Sequence, residues 1–254
     1  MHTAKVLMLS GIGDQDQLRR FGIPLVQHLP GVGQKFQNHV GIGCIWEYEH
    51  QLPSRNNAAE ATVFWKSKPR LVVPDLQSCH VEVPVCSAET AAKFNPPASS
   101  WTLFGSVARP ESRGQIRLTG RSPLDPIQFE ENTSSHPDDL KAAKACVELC
   151  REIGNAAPLR PFAKREVMPG NLKGSDLENF VRDELTSYAH QTCTAKMGRD
   201  SMSVVDGTLK VYGVDNLRVA DGSIMPRVAT GNTHAPCVII GERAGEILKA
   251  DYRL

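Results

Sequence analysis

Two polar clusters in the last quarter of the chain hold the residues best suited to chemistry. They are Tyr188-Ala189-His190-Gln191-Thr192-Cys193-Thr194-Ala195-Lys196-Met197-Gly198 and Thr230-Gly231-Asn232-Thr233-His234-Ala235-Pro236. His190 follows a helical pattern and precedes a glycine-stopped loop, where side chains face clefts more often than cores. An imidazole titrates close to working pH, so the neutral ring can take the hydroxyl proton of an alcohol. Asn232 follows Gly231 in the loop that opens the last helix, and its amide can donate a hydrogen bond to an oxygen as negative charge develops. The plainer reading of Thr230-Gly231-Asn232-Thr233 is a helix cap, with Asn or Thr satisfying free amides. Both readings can hold for one loop. Between the clusters, Leu217-Arg218-Val219-Ala220 runs into Asp221-Gly222-Ser223-Ile224-Met225-Pro226. Asp221-Gly222-Ser223 is either a strand-ending turn or a place where glycine lets backbone amides approach a planar cofactor.

The rest of the chain must position these groups. Its 254 residues suffice for one large domain or two modest ones. Apolar residues at 41% and charged residues at 22% are those of an ordinary globular protein. A net charge of +1 leaves no basic surplus for nucleic acid. No apolar run approaches the roughly 18 residues of a membrane-spanning helix. Val6 to Leu9, after Met1-His2-Thr3-Ala4-Lys5, is too short for the apolar region of a secretory signal. The seven cysteines (Cys44, Cys79, Cys86, Cys146, Cys150, Cys193, Cys237) form no C-x-x-C pair and sit mostly in apolar segments. They read as buried reduced thiols rather than a disulfide framework, which implies a cytoplasmic location. A zinc or thiol enzyme built on Cys193 near His190 lacks the ligand spacing such sites need, so no metal is expected.

Val6 to Leu9 reads as the end of a helix followed by a turn in which Gly11 and Gly13 supply positive φ. Asp16 to Phe21 reads as a short helix stopped by Gly22, and Leu29-Pro30-Gly31-Val32-Gly33 as a glycine loop leading to Gln37-Asn38-His39. Between Gly41 and Arg117 the texture is β-type, with runs at Ile42–Tyr48, Ala61–Trp65, His80–Val85 and Trp101–Val107. Gly114-Gln115-Ile116-Arg117-Leu118 alternates as a half-buried strand does. Strands without long intervening helices predict an antiparallel sheet. Ser134-Ser135-His136-Pro137-Asp138-Asp139 is a helix start with a hydroxyl cap, an early proline and acids at the positive end of the dipole. The helix that follows has Leu140, Ala143, Cys146, Val147, Cys150 and Ile153 on one face and stops at Gly154-Asn155. Asp176–Leu185 is a second amphipathic helix. Val204–Asp206, Lys210–Gly213 and Leu217–Ala220 read as short strands. Ala235–Leu248 reads as a helix with an apolar face of Ile239, Ile240, Ala244, Ile247 and Leu248. Trp46, Phe64, Trp65, Trp101 and Phe104 are candidate lining residues of the β-rich middle, or plain core.

As an ordered set these segments resemble the glucose-methanol-choline (GMC) oxidoreductases, in their C-terminal half and closest to the choline-dehydrogenase-like branch. The resemblance rests on His190, Met197-Gly198, Val204-Val205-Asp206, Tyr212-Gly213, Leu217-Arg218-Val219, Asp221, Ser223, Pro226 and Gly231-Asn232-Thr233 in that order. Leu9-Ser10-Gly11-Ile12-Gly13, Leu29-Pro30-Gly31-Val32-Gly33, Ser112-Arg113-Gly114 and Ser135-His136-Pro137-Asp138 extend it over essentially the whole chain. The resemblance implies an α+β, mixed fold: an antiparallel-sheet substrate domain with helices, plus C-terminal pieces of an FAD-binding α/β domain. The corresponding boundaries are 1–42 and 186–254 for the FAD-binding pieces and 43–185 for the substrate domain. It further implies oxidation of the CH–OH group of a small-molecule alcohol with FAD as cofactor. His190 would be the base that removes the hydroxyl proton and Asn232 its partner in orienting the alkoxide. Asp221, Gly222, Asn232 and Thr233 would contact the flavin. His234, two residues past the matched Asn232, is secondary. The family's usual proline after the histidine is Gln191 here, and Lys35-Phe36-Gln37-Asn38-His39 stands for the usual Asn-Leu-x-Asp-His.

In that family a G-x-G-x-x-G turn holds the pyrophosphate of FAD at a helix N-terminus. Gly11-Ile12-Gly13, Gly31-Val32-Gly33 and Gly41-Ile42-Gly43 all lack the third glycine, with Asp16, Phe36 and Trp46 in its place. The expectation is therefore a fragment whose N-terminal half, carrying that motif, acts as a partner, and a chain that alone does not retain FAD tightly. The alternative from another class is a non-catalytic remnant or substrate-binding module that holds no flavin.

Overall fold

Two sets of segments, each closed on its own core, account for the chain, and the computed structural model describes residues 2–50, 58–59 and 61–253 of it. In chain order the elements are α1 (His2–Leu9), β1 (Ile12–Gly13), α2 (Gln15–Arg20), β2 (Gln27–His28), β3 (Gln34–Phe36), β4 (Val40–Tyr48), β5 (Thr62–Trp65), β6 (Leu76–Val81), α3 (Ala88–Phe94), β7 (Ser100–Val107), β8 (Gly114–Leu118), β9 (Ile127–Glu130), α4 (Pro137–Gly154), β10 (Ala163–Met168), α5 (Gly174–Asp183), β11 (Thr186–Ser187) and α6 (His234–Tyr252). The sheet unit comprises His39–Glu111 and Ser134–Tyr188; the terminal unit comprises Met1–Asn38, Ser112–Thr133 and Ala189–Leu254. The mixed fold with antiparallel sheets is as expected. Ser112–Thr133 joins the terminal unit because β8 pairs with β3 through Gln34↔Gln115 and Phe36↔Gly114.

The sheet unit is built on a six-stranded sheet in the order β10-β4-β7-β6-β5, with β11 also on β4. β4 and β7 are antiparallel in unbroken register from Val40↔Val107 to Glu47↔Ser100. Helix α4 lies against this sheet. Its Ala142, Ala143, Cys146, Val147 and Cys150 join Val40, Ile42, Cys44, Trp46, Leu103 and Val107 in one core, with Leu177, Phe180 and Val181 of α5. This helical stripe matches the sequence pattern, since i, i+3, i+4 and i+7 positions share a face. The start of α4 differs in one respect: the His136 imidazole, not a serine hydroxyl, accepts the Asp138 amide at 3.3 Å. Pro137 still fills the first turn with Asp138 and Asp139. The strand expected at His80–Val85 lies instead at Leu76–Val81. Beyond Val81 the backbone bonds to a side chain: the Val85 amide donates to the Thr102 hydroxyl at 3.0 Å, which donates to the Val83 carbonyl at 2.7 Å. Of the candidate lining aromatics, Trp46, Trp101 and Phe104 are buried, whereas Phe64 and Trp65 are exposed.

The terminal unit packs α1, the β3-β8-β9 sheet and the coil from 195 to 224 around Ala4, Leu7, Met8, Val32, Phe36, Ile116, Val204, Val205 and Ile224. Gly11 takes φ +79°, but Gly13 has no positive φ, because β1 runs parallel to β2 with Ile12↔Gln27 and Gly13↔His28. The short strands expected between Val204 and Ala220 shrink to isolated bridges, Val205↔Val211 and Lys210↔Arg218. The Asp206 carboxylate accepts the amides of Thr208 at 2.7 Å and Lys210 at 3.0 Å, so a side-chain turn replaces ladder pairing. Helix α6 forms as expected, but only Ala244 is buried and Ile239 is 66% exposed.

One contact fixes α4 on its sheet. A Cβ on Gly154 would stand 2.2 Å from the Trp46 ring, and that ring is stacked on Trp101 at 4.7 Å. Alanine in a helix ordinarily stabilises relative to glycine. Here Gly154→Ala is expected to lower unfolding stability by about 1–3 kcal/mol through overpacking. Urea denaturation measures it; an increase in stability would contradict the packing.

Candidate active site

The His190 segment is held by buried polar residues from the start of the chain. The Asn38 carboxamide oxygen accepts the His190 amide at 2.8 Å. Gln37 and Thr192 exchange backbone hydrogen bonds, 3.3 Å from Gln37 to Thr192 and 2.9 Å in return. The Gln37 carboxamide oxygen also accepts the Val228 amide at 3.0 Å. Gln37, Asn38 and His39 are all buried. The sequence marks them as a polar run after a glycine loop, in the place of Asn-Leu-x-Asp-His, but the partners of Gln37 and Asn38 lie more than 150 positions away, out of reach of local pattern.

The backbone of this segment is bent away from its own preference. Ala189 has φ 61° and Cys193 φ 75°. Left-handed conformations in residues with a Cβ are sparsely populated and persist where the surroundings over-determine them. The constraint is visible: amides of Cys193, Ala195 and Met197 donate to carbonyls of Gly222, Ser223 and Ile224 at 3.3, 2.9 and 2.7 Å. The Asp221 turn is thus stitched alongside the His190 segment. Gly222 is the joint of the arrangement, since a Cβ there would stand 3.1 Å from Cys237 Sγ and 3.5 Å from Thr192 Cγ2. Cys237 belongs to the first turn of α6, and its amide donates to the Thr233 carbonyl at 3.1 Å. The His190 segment, the Asp221 turn and the first turn of α6 therefore pack against one another.

The electrostatics follow from this. Burial holds the His190 imidazole below its ordinary pKa of 6.5, so the ring is neutral and able to accept a proton. Burial alone would raise the Asp221 carboxyl, but hydrogen bonds from Ser223, whose amide lies at 2.7 Å, and from the Thr3 hydroxyl at 2.7 Å hold it below the usual range. Cys193 is buried and its thiol is pushed up to about 11, against the effect of its hydrogen bond with Thr192. It is a packed thiol, not a nucleophile. Asn232 and His234 are exposed, and Gly231 takes φ +110° just before Asn232. The Thr233 side chain makes no capping hydrogen bond to α6 among the described residues. The Thr194 hydroxyl is buried without a hydrogen-bond partner among the described residues. Chemically the site offers a neutral base, an exposed carboxamide and an ionised carboxylate on a glycine turn.

Residues 110–241 match the family model described as GMC oxidoreductase, and the chain belongs to that family. Mouse mitochondrial choline dehydrogenase is 34% identical over 98% of this chain and 46% of its own length. The oxygen-dependent choline dehydrogenase of Brucella anthropi is 33% identical over 97% of this chain and 49% of its own length. Pyridoxine 4-oxidase from Mesorbium loti superposes with TM-score 0.90 at 26% identity, covering 97% of this chain and 49% of that one. An FAD-dependent oxidoreductase from Chaetomium thermophilum shares the fold with TM-score 0.77 at 24% identity, covering 99% of this chain and 54% of that one. The chain spans about half the length of the curated relatives it matches.

The lowered His190 pKa has a direct readout. An NMR titration of the imidazole C–H resonances is expected to give a midpoint below 6.5. A midpoint above that value would mean that a negative partner, not desolvation, governs the ring.

Proposed function

We propose that this chain carries the alcohol-oxidising residues of a flavin-dependent GMC oxidoreductase. The single observation that carries the reading is the stitching of the His190 segment and the Asp221 turn to the start of α6. In this reading His190 accepts the hydroxyl proton of a small alcohol at its neutral imidazole, and Asn232 donates to the substrate oxygen as charge grows on it. Asp221, Gly222, Asn232 and Thr233 are the proposed flavin contacts. The start of α6 suits a group rich in carbonyl and ring-nitrogen acceptors. FAD, when bound, supplies the hydride acceptor. Asn38 and Gln37 act as positioning residues, fixing the His190 backbone rather than touching substrate.

The terminal unit takes the flavin-side role and the sheet unit the substrate-binding role. A small alcohol is the proposed substrate class, in line with relatives named choline dehydrogenases and pyridoxine oxidase. Val238 and Ile239 on the exposed side of α6 are the proposed seat for a partner half carrying the dinucleotide-binding turn. No helix among the described residues is long and apolar enough to cross a membrane. The seven cysteines are free thiols, which supports the proposed cytoplasmic location.

The second reading is a non-catalytic remnant or substrate-binding module that holds no flavin. One experiment separates the two. In FAD-loaded protein, complemented with the dinucleotide-binding half of a relative, alcohol-driven flavin reduction is expected to fall roughly 10²–10⁴-fold with His190→Ala. An unchanged rate would refute the role of His190, and complemented protein that binds no flavin would establish the second reading.

A further inference from the structure

We propose that the β5–β6 hairpin is a membrane-surface contact, an aromatic and cationic edge that seats this chain on an anionic lipid bilayer without crossing it. β5 pairs with β6 from Thr62↔Cys79 to Trp65↔Leu76 and is the last strand of its sheet, so its outer edge carries no ladder among the described residues. Phe64 is 43% exposed, Trp65 56%, Val72 92% and Val73 41%. Large apolar side chains exposed singly are ordinary, whereas a cluster of them in one short hairpin marks an interaction surface. No residue assigned to alcohol oxidation lies on it.

The loop between the two strands is held at its base and open beyond it. The Asp75 amide donates to the Trp65 carbonyl at 3.1 Å, and the Asp75 carboxylate accepts the Ser67 amide at 2.7 Å and the Ser67 hydroxyl at 2.5 Å. Further out, the Leu71 amide turns back to the Lys68 carbonyl at 3.1 Å, which leaves Val72 and Val73 in solvent.

Charge identifies the partner as anionic. From Ala61 to Pro74 the sequence holds Lys66, Lys68 and Arg70 and no acid. Lys68 is paired with Asp138 at 3.6 Å, and Asp75 is engaged by Ser67. Lys66 and Arg70 make no ion pair among the described residues. Two uncompensated cations therefore sit beside Trp65 in a chain whose net charge is only +1. An indole with flanking cations on long apolar stems suits the headgroup layer, where rings settle at the boundary and charged ends reach water.

Geometry favours a bilayer over a protein partner. Phe64 and Trp65 are neighbours in one strand, so they point to opposite faces. A protein laid on one face leaves the other ring in water. A fluid lipid boundary closes around both.

The test titrates the whole chain with vesicles of phosphatidylcholine and phosphatidylglycerol in equal parts, and with phosphatidylcholine alone, while tryptophan emission is followed. Trp46 and Trp101 are buried, so Trp65 is the reporter. Its emission is expected to move saturably to shorter wavelength on the anionic vesicles and to be quenched by lipids carrying a nitroxide close to the headgroup. Replacing Lys66→Gln and Arg70→Gln together is expected to weaken binding roughly 25-fold, about fivefold per charge. Trp65→Ser with Val72→Ser is expected to lower co-sedimentation on the order of tenfold or more. All four positions are exposed, and the emission of Trp46 and Trp101 reports an intact unit. No shift of Trp65 on anionic vesicles, equal binding to both kinds of vesicle, or undiminished binding of either double variant would each overturn the proposal. A Trp65 shift produced without lipid, by raising the chain concentration or by adding the dinucleotide-binding half of a relative, would assign the hairpin to a protein contact and overturn it as well.

Discussion

A short ladder of backbone hydrogen bonds, from the amides of Cys193, Ala195 and Met197 to the carbonyls of Gly222, Ser223 and Ile224, is the interaction on which the rest of the site depends. It binds a stretch of coil to the single 3₁₀ turn Gly222–Ile224. Each bond contributes modestly to stability, about 0.5–1.5 kcal/mol. Their effect lies in position rather than energy. They fix the loop behind His190 in left-handed backbone at Cys193, and they bring the Asp221 turn against the first turn of α6 through Gly222. A Cβ on Gly222 would meet Thr192 at ordinary contact distance but press on Cys237 Sγ, which must give by a few tenths of an ångström, so the glycine serves close approach, not unusual φ.

The second constraint is that polar groups in the site are satisfied by residues remote in sequence. Gln37 and Asn38 come from the first segment of the chain, yet their carboxamides accept the Val228 and His190 amides. A buried carboxamide that found no partner would cost free energy, and a loop amide that found none would be mobile. Pairing them solves both problems at once. It also leaves the His190 ring partly desolvated with its pKa lowered, the state a proton acceptor needs near neutral pH.

Much of the fold was legible where periodicity and burial agree. The alternation in Gly114–Leu118 and the apolar stripe of α4 reappear as β8 and as the helical side of the sheet core. What was not legible depends on tertiary partners. The end of the strand at Val81 is decided by the Thr102 hydroxyl, and the cap of α4 by an imidazole rather than a serine. The attachment of Ser112–Thr133 to the terminal unit was not legible because its pairing partner, β3, lies some eighty residues earlier. At the site, His190, Asp221 and Asn232 were legible from residue type and order. Asn38 and Gln37 were not, since a carboxamide that holds a distant backbone leaves no local pattern. The exposed side of α6 reads in sequence as a core face, because apolar spacing alone does not tell what will cover it.

The most direct check on this account is amide hydrogen exchange at Ala195 and Met197 in the intact chain, followed at single-residue resolution. The account expects both amides to exchange slowly and to lose protection together when Gly222 is replaced by valine, while amides of β4 and β7 keep theirs. Free exchange at Ala195 and Met197 in the unaltered chain would show that the ladder does not hold in solution, and the positioned base would lose its structural basis.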